Sequence, residues 1–153
     1  MEANSWKLYG HKSFVGQLTK LVDESDELRR SDPSGYEAHP KTKFLATINR
    51  LIRQTIPEDP ASPEYRQRNT LGKTNKHWFR AKFHRRYRLF FRFSSQHRVI
   101  IYVWLNDEKT LRKAGAKTDP YFIFQNMLKS GNPPQNFEHL LKKSISLDEE
   151  SEG

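Results

Sequence analysis

Residues 78–93 read WFRAKFHRRYRLFFRF. Seven of these sixteen residues are basic, counting His84, and none is acidic. Most of the others are aromatic or aliphatic. The stretch alternates with a period of two, the spacing of a strand whose side chains point to opposite faces. In Trp78–His84, Phe79, Ala81 and Phe83 share one face, while Trp78, Arg80, Lys82 and His84 share the other. His84-Arg85-Arg86 is a short basic turn. Tyr87–Phe93 then repeats the pattern, with Tyr87, Leu89, Phe91 and Phe93 opposite Arg86, Arg88, Phe90 and Arg92. After the turn SSQH, Arg98–Leu105 (RVIIYVWL) is β-branched and aromatic on both faces, as in a fully buried strand. These segments predict a three-stranded meander.

Upstream the period is that of a helix. His11–Arg30 places Phe14, Leu18, Leu21 and Leu28 on one stripe, and SDPSG breaks it. Tyr36–Ile56 places Phe44, Leu45, Ile48, Leu51, Ile52 and Ile56 on a second stripe before Pro57. Two helices before a meander predict an α+β fold, with an N-terminal helical hairpin packed on a twisted antiparallel β-sheet. Downstream, Asp107 is expected to cap a short helix through Leu111 and Ala114, closed by Gly115. Asp119, Pro120 and Gly131 mark a helix over 120–130, with Tyr121, Phe124 and Leu128 on one stripe. Phe137–Ile145 is expected to be a further C-terminal helix. Residues 1–146 read as one domain, and 147–153 as an acidic, disordered tail.

The chain carries 27 Lys and Arg against 18 Asp and Glu, a net charge of +9. The excess is concentrated. Residues 41–130 hold 20 basic and 6 acidic residues, and from Tyr65 to Asn106 there are 11 basic residues and no acidic one. Solvated surfaces usually mix signs, because like charges repel. The block therefore points to an anionic partner. There is no cysteine, so disulfides and thiolate metal sites are excluded. No run reaches the roughly 18 apolar residues of a membrane helix, and MEANSWKLYGHK lacks the apolar core of a signal peptide. A cytoplasmic location is expected. The six histidines are scattered without H-E-x-x-H spacing. LGKT at 71–74 lacks the upstream glycine of a phosphate loop, since Gln67 stands there. Neither a metal nor another cofactor is expected.

If the helices cover one sheet face, Arg80, Lys82, Arg86, Arg88 and Arg92 converge on the other, which is expected to be open. Trp78, Phe90, Tyr102 and Trp104 are expected to interleave with them. Guanidinium forks match phosphate oxygens in pairs, and aromatic rings stack nucleobases. A plainer reading is that arginine stems merely cover apolar surface and keep their heads in water.

Two blocks carry a resemblance. The W-x-R and Y-R-L-F-F-R strands resemble the RelE/ParE superfamily of toxin–antitoxin toxins. WKLYGHKSF, SPEYR…LGKTNKHWFRAKF, RYRLFFRF and WLNDEKTLRKAGAKTDPYFIFQNMLKSGNPP resemble, over about residues 6–143, its YhaV-type toxins. The resemblance implies a RelE-like fold and a ribosome-associated endoribonuclease that cleaves mRNA and inhibits translation. It also implies neutralisation, in a hetero-oligomer, by a PrlF-type antitoxin of AbrB-like fold. Arg88 matches the superfamily arginine that contacts the scissile phosphate. Tyr121 matches a C-terminal tyrosine, across the longer insertion KAGAKTDP.

Such an enzyme uses the 2′-hydroxyl of its substrate. It needs a base, a cation for the phosphate charge and an acid for the leaving oxygen. Arg88, supported by Arg80 and Arg86, is the candidate for the charge. Lys82 is a candidate base or acid, because surrounding like charge disfavours its ionised form. His84 titrates nearer neutrality by nature. Asp107 is a candidate to orient a base or bind ribose, or is simply a helix cap. Lys73, Lys76, Arg85, Arg92, Asn106, Arg112 and Lys117 are candidate RNA contacts. The alternative is a non-catalytic basic module that binds ribosomal RNA or an acidic protein and inhibits sterically.

Overall fold

The computed structural model describes residues 1–147. Two N-terminal strands, β1 (Glu2–Ala3) and β2 (Trp6–His11), lead into α1 (Lys12–Ser31). α2 (Pro40–Arg50) runs on through a wide turn at Leu51–Thr55 into α3 (Ile56–Glu58). The meander follows as β3 (Phe79–Phe83), β4 (Tyr87–Ser94) and β5 (Val99–Leu105). Then come α4 (Pro120–Ser130), α5 (Phe137–Lys142) and β6 (Ser144–Ser146). This is an α+β, RelE-like layout.

The sheet has six strands rather than the three expected. Its order is β1-β2-β5-β4-β3, with β6 pairing β2. The meander is antiparallel, but β2 joins β5 in parallel, with Gly10 opposite Tyr102. β2 passes close to α1 at Gly10, where a Cβ would sit 2.9 Å from Val15. The segment expected as one helix over Tyr36–Ile56 is a 3-10 turn (Tyr36–Ala38), then α2, then the π turn, where the amide of Ile56 donates to Leu51. Asp107 heads no helix. Its carboxylate instead accepts from the Lys109 amide and the Thr110 hydroxyl, both at 2.9 Å. The C-terminal helix ends at Lys142, and Ile145 belongs to β6. The acidic tail lies outside the described residues except for Leu147, which is buried and donates its amide to Leu8 at 2.9 Å.

Both faces of the sheet are covered. Leu8, Ala81, Phe83, Leu89, Phe91, Ile100 and Tyr102 pack against Phe14 and Leu18 of α1 and Leu45 and Ile48 of α2. The face expected to be open is instead the base of a second core. There Trp78, Phe90, Ile101 and Val103 meet Tyr121, Phe124 and Leu128 of α4 and Leu140 of α5. Phe124 stacks on Phe90 at 4.3 Å. The apolar stripe of α4 has to be buried against something, and this face is the large apolar surface beneath it. Tyr102 also lies on the α1 side, not beside Phe90 and Trp104. A register shift between Phe90 and Phe91 leaves Val103 without a partner on β4 and turns Tyr102 over, where its hydroxyl donates to the Ile52 carbonyl at 2.7 Å. No helix among the described residues is long and apolar enough to cross a membrane.

Candidate active site

The site is assembled where α4 begins. Asp119 caps this helix, its carboxylate accepting from the Tyr121 amide at 3.0 Å, and Pro120 fills the first helical position. The cap aims Tyr121 back across the sheet at β3 and β4. Lys82 and Arg88 face each other across these strands, with Arg80 opposite Phe90. The phenol oxygen accepts the Nε–H of Arg80 at 2.8 Å and that of Arg88 at 3.1 Å. All three residues are buried, at 9%, 6% and 4% exposure.

Each guanidinium is anchored a second time. Arg80 donates to the Glu64 carbonyl at 2.6 Å, and Arg88 to the carbonyls of Arg85 and Tyr87, both at 2.9 Å. The hairpin turn that presents the Arg85 carbonyl holds His84 and Arg85 in the left-handed region, at φ 45° and 67°. Neither is a glycine, so the turn is strained by about 1–2 kcal/mol per residue.

A third guanidinium closes the cluster. Arg112 lies 4.6 Å from the centre of the Tyr121 ring and pairs with Asp119 at 2.8 Å. The other carboxylate oxygen of Asp119 accepts the Lys113 amide at 2.7 Å. Arg112 and Arg86 are laced together. The Arg112 amide donates to the Arg86 carbonyl at 2.9 Å, and Arg86 Nε–H returns to the Arg112 carbonyl at 3.0 Å. Asn106 ties the same region. It accepts the Arg88 amide at 2.7 Å and donates to the carbonyls of Arg86 and Thr110 at 3.1 and 2.6 Å.

Arg80, Arg88, Arg112 and Tyr121 thus form one cluster, with Arg86 at its edge. Lys82 is exposed beside it, and its side chain makes no hydrogen bond or ion pair among the described residues. His84 lies elsewhere. Its ring meets Phe44 at 5.5 Å and its Nε2 is 3.0 Å from the Thr47 hydroxyl, against α2. Asp107 is held in its own turn. Asn106 has no exposed surface, so its expected RNA contact gives way to a structural placement. Arg92 is enclosed between the rings of Trp78 and Phe137 and donates to the Gln135 carbonyl, and burial lowers its basicity. Lys73, Lys76, Arg85 and Lys117 are exposed; of these, Arg85 touches the cluster through its carbonyl and Lys117 lines the cleft beside it. The ion pair of Asp119 had no local signal, because it joins a helix cap to a residue seven positions upstream.

Residues 8–145 match a family of toxins with endonuclease activity, of toxin–antitoxin systems: the YhaV toxins. The chain belongs to this family. It is 44% identical over 143 residues to the ribonuclease toxin YhaV of Escherichia coli K12, covering 92% of this chain and 93% of that protein. The same figures hold for the toxin YhaV of Escherichia coli O157:H7. No solved structure matches. The resemblance drawn from the sequence blocks is therefore correct at the level of the family and its endonuclease activity.

Proposed function

We propose that this family member is a metal-independent endoribonuclease that cleaves mRNA through the 2′-hydroxyl of the substrate and so inhibits translation. The carrying observation is the Tyr121 hydroxyl bracketed by the Nε–H groups of Arg80 and Arg88. A phenol oxygen offers two acceptor positions and one proton. Here both acceptor positions are taken, so the proton is what Tyr121 has left to give. That suits a general acid. The 2′ oxygen attacks phosphorus, the bond from phosphorus to the 5′ oxygen breaks, and Tyr121 protonates the leaving oxygen. The products are a 2′,3′-cyclic phosphate and a 5′-hydroxyl. Arg88 and Arg80 offset the charge gathering on the phosphate, the task in which fixed donors contribute most. Lys82, adjacent and without a partner, is the candidate base. Arg112 and Lys117 hold flanking phosphates. Asn106 positions the Arg88 strand.

Membership of a toxin–antitoxin family supports a protein antitoxin as partner. We place it in the PrlF-type, AbrB-like class, binding an acidic segment over the Arg80–Lys82–Arg88 region in a cytoplasmic hetero-oligomer. The ribosome is the proposed setting of cleavage. The test is an RNA cleavage assay with end mapping, in chelator, on free and ribosome-bound message. Fragments carrying cyclic phosphate and 5′-hydroxyl ends are expected, faster on the ribosome. Inhibited translation with intact RNA on both substrates would favour the steric module.

A further inference from the structure

A cleft of about 310 Å³ opens beside the catalytic cluster, between the start of α4 and the loop over 112–117. That volume lies at the lower end of the range of small-ligand pockets, about 300–1,000 Å³. Its walls are of two kinds. Ala114, Gly115 and Ala116 form one side. They contribute no side chain beyond Cβ, and Gly115, at φ 84°, has nothing within 4 Å of where a Cβ would stand. The other side carries Phe122, 44% exposed, and Gln125 one helical turn further on. Phe122 and Ile145 are the exposed large apolar side chains among the described residues, and Phe122 directly follows Tyr121. The side chain of Gln125 makes no hydrogen bond among the described residues, so its amide is available as donor and acceptor together. Lys117 adds positive charge at the rim, where Arg112 is already paired with Asp119, which lines the cleft as well.

We infer that this cleft is a nucleobase subsite, in which Phe122 stacks on the base of a nucleotide flanking the scissile phosphate and Gln125 reads its edge. An aromatic face, an unpaired side-chain amide and the Lys117 ammonium next to the proposed acid match a nucleotide part by part: base, base edge and phosphate. A glutamine amide pairs bidentately with an edge offering an adjacent donor and acceptor, adenine foremost. The inference rests on the ribonuclease reading and extends it to sequence selectivity.

The test uses the full chain and short RNA substrates with each base, or an abasic sugar, at the two positions flanking the cut. Wild-type kcat/KM is expected to fall about 5- to 150-fold when the stacked base is removed, the range for one base on one ring. Phe122→Ala should lose a similar factor on intact RNA and little more on the abasic substrate. Gln125→Leu should flatten the base preference while the abasic rate stays as in wild type. Phe122 is exposed, so its replacement should leave the melting temperature unchanged. If wild type cuts abasic and intact substrates equally, or if both variants keep the wild-type profile, the subsite is overturned while the nuclease stands. The same holds if Phe122→Ala changes only neutralisation by the antitoxin, which would make the patch a protein contact. If wild type cuts no RNA, the ribonuclease reading falls and the subsite with it.

Discussion

The two faces of β3 and β4 are written in the same alternating code and do different work. On the α1 side, Ala81, Phe83, Leu89 and Phe91 bury apolar surface and nothing else. On the α4 side, Phe90 alternates with Arg88, and Arg80 lies across the pair, so charge is buried next to rings. A buried charge is tolerated only where hydrogen bonds meet it. Tyr121 and the carbonyls of Glu64, Arg85 and Tyr87 supply them. The difference is that one face is a core, and the other is a core with a preorganised cation cluster at its edge. α4 makes both parts of the second face, since its stripe covers Phe90 while its first turn delivers Tyr121.

The largest effect expected is at that shared position. Tyr121→Phe removes the proton donor but keeps the ring, and should lower the cleavage rate about 10²–10⁴-fold, read in single-turnover assays. Next come paired truncations that separate the faces. Phe14→Ala and Phe124→Ala should each cost about 3–5 kcal/mol of stability in urea titrations. At a temperature where both remain folded, only Phe124→Ala should also slow cleavage, because Phe124 holds the helix that carries Tyr121. Equal cleavage by the two would break the comparison.

Asn106→Ala should destabilise by about 1–3 kcal/mol, since it leaves the Arg88 amide and two carbonyls without their partner. Chemical denaturation measures this. The smallest effect concerns pH. His11 caps α1 by accepting the Ser13 amide at 3.3 Å. Burial first, and the Lys12 charge second, hold its pKa below the ordinary 6.5. The unfolded chain therefore binds a proton more readily. The contribution of His11 to stability is complete above pH 6.5 and is lost as pH falls through its lower folded value. His11→Asn, which caps without titrating, should flatten that part of a stability profile between pH 7.5 and 5.

Much of this was legible locally. Asp119-Pro120 and Gly131 mark α4 to the residue because a cap, a rigid first position and a left-handed C-cap are signals within a few residues. The meander showed through its alternation, while the register that sets Arg88 opposite Lys82 came only with the fold. The unread parts are long-range. β2 lies next to β5 through pairs some ninety residues apart, and β6 is three residues long. The bulge that turns Tyr102 over leaves no mark in RVIIYVWL. Alternation says which residues share a face, not whether water reaches it. The clue to the covered face was present, however. The stripe Tyr121–Phe124–Leu128 needed an apolar surface, and Trp78, Phe90 and Trp104 formed one. Arg112 and Asp119 meet only because the 106–119 segment folds back along the hairpin turn.

The central claim is that arginines buried beneath α4 act on RNA rather than merely packing. The most direct measurement compares wild type with Arg88→Ala for cleavage of one RNA, with end mapping, alongside their melting curves. The expected result is a loss of cleavage of about 10²-fold or more in a protein that still melts cooperatively, with wild-type fragments bearing 5′-hydroxyl ends. A folded Arg88→Ala protein that cuts the same RNA at the wild-type rate would contradict it.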